Sequence, residues 1–69
     1  MAQHDVLSAR EREVAALIGR GLTSREIAQV LVISEKSADS HADHIRDKRG
    51  LRSRAEIAAW AVAHAHSLS

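Results

Sequence analysis

The 69-residue chain has no cysteine and no proline, only three glycines, and one aromatic side chain, Trp60. The missing cysteine removes disulfides, thiolate nucleophiles and thiolate metal ligands together. The near absence of strand-favouring aromatics, beside frequent Ala, Glu, Arg and Leu, argues for helices. No apolar run approaches the ~20 residues that a membrane span needs. Residues Met1 to Asp5 lack the basic and apolar regions of a signal peptide. A domain of this length buries only ~60% of its unfolded surface, which leaves no room for a pocket of enzyme size. No nucleophile–base–orienter set and no phosphate-binding glycine loop is present, so neither catalysis nor a cofactor is expected. These absences fit a small all-α domain in a reducing, cytoplasmic setting.

Helix starts are legible. Ser or Thr followed three residues later by Glu is the capping box, in which each side chain satisfies a backbone N–H of the other residue. It occurs at Ser8 with Glu11, Thr23 with Glu26, and Ser53 with Glu56. Ser34, followed by acidic Glu35, marks a fourth start. Apolar spacing at Val14, Leu17 and Ile18, at Ile27, Val30 and Leu31, and at Ile57, Trp60, Ala61 and Ala65 follows the helical period. Gly21 and Gly50 supply stops. The pattern predicts a compact four-helix bundle with helices at about 8–20, 24–31, 35–49 and 54–66. A short helix, a tight link and a longer helix make a helix-turn-helix. Residues 1–6 and 67–69 are expected to be flexible, and 7–66 to form the domain.

Net charge is only +1, but its distribution is uneven. Glu35, Asp39, Asp43 and Asp47 outweigh Lys36 and Arg46, whereas Lys48, Arg49, Arg52 and Arg54 follow with no acid among them. An acidic block therefore adjoins a basic one.

Taken in order, Leu7-Ser8-Ala9-Arg10-Glu11-Arg12-Glu13-Val14, Gly21-Leu22-Thr23-Ser24-Arg25-Glu26-Ile27-Ala28, Ile33-Ser34-Glu35-Lys36-Ser37, His41, Ile45, Lys48, Gly50-Leu51 and Ser53-Arg54-Ala55-Glu56 resemble the LuxR-type (GerE-like) helix-turn-helix domain. The resemblance covers about residues 7–65. It implies a DNA-binding output domain of a bacterial transcription regulator, usually the C-terminal part of a larger sensor or regulator chain. It also implies that helix three is the recognition helix and that helix four is the usual dimer contact.

Helix three departs from that family. Where the family reads Thr-Val-Lys-x-His-Val, this chain has Ser37-Ala38-Asp39-Ser40-His41-Ala42. Two apolar anchors have shrunk to Ala, so this helix is expected to be the least firmly packed. Asp39, Asp43 and Asp47, spaced i, i+4, i+8, form one stripe. In the family the positions of Asp39, Ser40 and Asp43 point at base edges. Carboxylates there meet phosphates spaced at one charge per ~1.7 Å, so repulsion is expected unless an Asp accepts from cytosine N4.

The expected DNA-binding set is Ser24, Arg25, Lys36, Ser37, Asp39, Ser40, His41, Asp43, His44, Lys48 and Arg52. Ser24 and Arg25 open helix two, where helix N-termini favour phosphate. Lys36 and Lys48 are cations placed for phosphates. Arg49, Arg52 and Arg54 fit a phosphate clamp, a solvated face or partners for the acidic stripe. His41 and His44 are one turn apart, but a structural zinc site needs four ligands and the chain has no cysteine, so no metal is expected. Ala58, Ala59, Val62 and Ala63 give helix four a smooth surface for a second copy, and both a homodimer and an isolated monomer fit the sequence.

Two functions follow. The first is a DNA-binding regulator domain that inserts helix three into the major groove of double-stranded DNA, with weakened or unusual affinity because of Asp39 and Asp43. The second is a protein-interaction module of the same fold with little DNA binding.

Overall fold

The structure, a computed structural model, describes residues 6–65. Most of the segments expected to be flexible, and His66, lie outside the described residues. Four helices follow in order: α1 (Ala9–Gly19), α2 (Ser24–Leu31), α3 (Glu35–Arg49) and α4 (Arg54–Ala63).

The caps explain the boundaries. Ser8 Oγ accepts from Glu11 N at 3.1 Å, and Glu11 Oε1 accepts from Ser8 N at 2.8 Å. Thr23 and Glu26 close the same reciprocal pair on α2. The third pair is only half formed. Ser53 Oγ accepts from Glu56 N at 3.2 Å, but the Glu56 carboxylate reaches past Ser53 to Arg52 N, 2.6 Å away. Ser53 is more extended than the other caps, with φ −148°, which carries its own N–H out of reach.

Three of the helix ends share one device. A residue with positive φ (Gly21, Val32 or Gly50) stops the helix. The next residue (Leu22, Ile33 or Leu51) returns its N–H to the carbonyl of Leu17, Ala28 or Arg46. Each of those apolar residues then packs against the core. The chain is thereby turned and anchored at once.

Val32 is the exception in chemistry. A β-branched residue at φ 56° is a steric outlier, and Val32 is 88% exposed, so no burial compensates it. Val32→Asn is expected to raise stability by about 0.5–1 kcal/mol, because Asn tolerates this conformation. Urea denaturation of the two chains measures it, and a loss of stability would show that Val32 is not strained.

The core joins Leu7, Val14, Ala15, Ile18, Ile27, Ala38, Ala42, Ile45 and Ile57. α3 packs against each of the other helices, and α1 packs against α4. Gly19 permits that last approach, since a Cβ there would sit 2.9 Å from the Ala61 Cβ. Ala38 and Ala42 keep their inward positions despite their size. α4 is shorter than the expected 54–66. It ends at Ala63, and His64 turns away with its Nδ1 2.9 Å from the Trp60 carbonyl. Ala65, expected in the apolar stripe, is consequently exposed.

Candidate nucleic-acid interface

α2, the turn at residues 32–34 and α3 form a helix-turn-helix whose inner side is fixed by Ile27, Ala38, Ala42 and Ile45. That burial fixes the rotation of α3. With Ala38, Ala42 and Ile45 inside, Lys36, Asp39, Ser40, Asp43 and Asp47 face solvent, and Ser37 is half-buried. Ser37 also takes part in the cap: its N–H donates to Ser34 Oγ, and the two hydroxyls lie 3.0 Å apart.

The outward face of α3 is continuous with the N-terminus of α2. Ser24 Oγ donates a hydrogen bond to the Asp39 carboxylate. Arg54, from the start of α4, donates to Ser24 Oγ at 3.0 Å and to the Leu22 carbonyl at 2.7 Å. Three helices therefore meet at Ser24. Arg25 and Lys36 are exposed and have no side-chain partner among the described residues. The Arg52 side chain is exposed too, its backbone N–H held by Glu56.

The acidic stripe is not uniformly bare. Asp39 is held by Ser24, and Asp43 pairs with Arg46 one turn on at 2.5 Å. Asp47 has no partner among the described residues. Being exposed, these pairs contribute little to stability, but they moderate the local negative field.

Lys48, expected at a DNA phosphate, is tied into the fold. Its Nζ donates to Glu11 Oε1 at 2.8 Å and to the Val6 carbonyl at 3.2 Å. Glu11 is only 5% exposed. Burial pushes its carboxyl up, but the hydrogen bonds and charge of Lys48 and the hydrogen bonds of Ser8 outweigh burial and hold it below its ordinary value. Glu11 thus caps α1 and fastens α3 to it. His44 is exposed, its Nδ1 3.7 Å from Glu11 Oε2. His41 is half-buried, with Nδ1 enclosed and without a partner among the described residues.

On α4, Ala59, Val62 and Ala63 are exposed, whereas Ala58 is half-buried and packs against the core. Trp60 is half-buried. The Arg49 guanidinium lies 5.7 Å from the Trp60 ring centroid, and the His64 ring stacks on Trp60 at 4.9 Å. Sequence reasoning did not assign Arg49 to this ring. Its spacing from Trp60 crosses a turn and a helix start, so no periodicity signals it. No described helix is long and apolar enough to cross a membrane.

A helix-turn-helix with an exposed, polar second helix defines a class of nucleic-acid-binding domain. Residues 5–61 match the family described as bacterial regulatory proteins, luxR family, and the chain belongs to that family. It is therefore a DNA-binding domain of the transcription-regulator type. It is similar to the oxygen regulatory protein NreC of Staphylococcus aureus, strains JH9, JH1 and Mu3, at 40% identity over 57 residues in each. The similarity covers 83% of this chain and 26% of each relative, so the chain spans about a quarter of their length. No solved structure matches.

Proposed function

We propose that this domain binds double-stranded DNA by laying the outward face of α3 in the major groove, with Ser24, Arg25, Lys36 and Arg52 against phosphates. The observation that carries the reading is the rotation of α3, whose buried Ala38, Ala42 and Ile45 leave Lys36, Asp39, Ser40 and Asp43 facing solvent beside the N-terminus of α2. Ser37, Ser40 and Asp43 lie along the same helix, and His41 and His44 border it. Lys48 is left out of the phosphate set because Glu11 holds it.

Asp39 gives the interface an unusual character. Its carboxylate accepts the Ser24 hydroxyl, a group suited to a phosphate oxygen. DNA must displace that contact and tolerate the negative charge, so affinity is reduced relative to a chain with a basic residue there. The domain works in the cytoplasm as part of a larger regulator. Exposed Ala59, Val62 and Ala63 serve as a contact between two copies, which would set two recognition helices about 34 Å apart. The oxygen-linked regulation in the relatives' name is not carried over, since only a quarter of their length is matched.

Salt dependence tests the phosphate set. Arg25→Ala and Lys36→Ala are each expected to weaken binding for all sequences and to reduce the slope of log K against log salt by about 0.9. Fluorescence anisotropy with a labelled duplex measures both. Unchanged slopes would remove these residues from the interface, and no binding at low salt would favour the interaction-module reading.

A further inference from the structure

We infer that Glu11, His41 and His44 form a binding site for a divalent ion of the zinc class, bridging α1 to α3. Helix three alone offers two imidazoles, one turn apart. Folding adds a carboxylate from the opposing helix. One ligand atom from each of the three residues lies within 4.8 Å of the others. Bonds of about 2.0–2.2 Å around a tetrahedral ion require ligand atoms about 3.3–3.6 Å apart, so side-chain rotations close the site. His44 is exposed and can make that adjustment.

The carboxylate is already oriented for this role. Glu11 Oε1 accepts from Ser8 N and Lys48 Nζ, both at 2.8 Å. Oε2 faces His44 at 3.7 Å. An ion can therefore take Oε2 while Oε1 keeps the cap and the ion pair, which act as outer contacts fixing the ligand. Two imidazoles and one carboxylate, with solvent in the fourth position, is an open zinc-type donor set. Imidazole donors favour zinc, nickel and copper ions over magnesium. Bound there, the ion cross-links α1 to the helix that carries the proposed DNA face.

The test is titration of the isotope-labelled 69-residue chain with Zn2+ alone, followed by calorimetry and by the imidazole resonances. The expected result is one ion per chain at this site, His41 and His44 moving together, and no response to Mg2+. His44→Ala removes an exposed side chain, so the fold is kept, and it is expected to weaken Zn2+ binding at least about tenfold. The inference is overturned if the His41 and His44 resonances stay still while other histidines respond. It is equally overturned if the His44→Ala chain binds Zn2+ as the parent does. Either failure leaves the DNA-binding reading untouched, because that reading uses no metal.

Discussion

Lys48→Met lowers the stability of the domain by about 2–3 kcal/mol at neutral pH, less than the roughly 3–5 kcal/mol of a fully enclosed pair because Lys48 keeps some solvent contact. The substitution preserves most of the stem but leaves a buried carboxylate without its cation. Glu11→Gln costs less, since Gln at this position still closes the capping box and the cation left behind, Lys48, keeps solvent contact. The effect of Lys48→Met depends on pH. In the native chain Glu11 is held below its ordinary value of 4.5, so its contribution is present above that value and is lost as pH falls through and below it. Once protonated, Glu11 no longer needs the ammonium group. The difference between parent and Lys48→Met therefore narrows in acid. Urea denaturation at neutral pH and below about pH 4.5 measures it. A difference that is the same at both would show that Lys48 acts by packing its stem rather than by pairing.

Asp39→Lys raises DNA affinity about tenfold in dilute salt. Two changes act together. A negative charge on the outward face of α3 becomes positive, and the Ser24 hydroxyl is released from the carboxylate. Asp39→Asn, which removes the charge only, falls between the two chains. The structural penalty is small because the Ser24–Asp39 contact lies at the surface, where such pairs contribute at most about 1 kcal/mol. Asp47→Asn, farther along the same stripe and free of α2, changes affinity less. Binding isotherms of the four chains on one duplex give the comparison. Equal affinities for the parent and Asp39→Lys would mean that position 39 does not meet DNA.

The helices and their order were legible in the sequence because capping and periodicity are local. Ser8, Thr23 and Ser34 announce starts within three residues of their partners, and Gly21 and Gly50 announce stops. The features that local pattern does not show arise from partners far away in sequence or from an unusual backbone. Glu11 reads as a cap, and its reach to Lys48 and toward His44 depends on how α3 lies across α1. Lys48 reads as a surface cation for the same reason. Glu56 fits the capping pattern, yet the extended backbone of Ser53 sends its carboxylate to Arg52. Val32 gives no stop signal, because left-handed backbone at a β-branched residue runs against local preference and is imposed by the packing of Ile33. The acidic stripe on α3 was recoverable from spacing, and its outward direction from the family resemblance, whereas the hydrogen bond of Ser24 to Asp39 was not.

Laying α3 against DNA is the central claim, and amide shifts on titration with non-specific duplex test it most directly. The account predicts shifts in dilute salt at Lys36, Ser37, Asp39, Ser40 and Asp43, joined by Ser24 and Arg25 and fading as salt is added. A titration that leaves the solvent-facing positions of α3 unmoved in dilute buffer would contradict it.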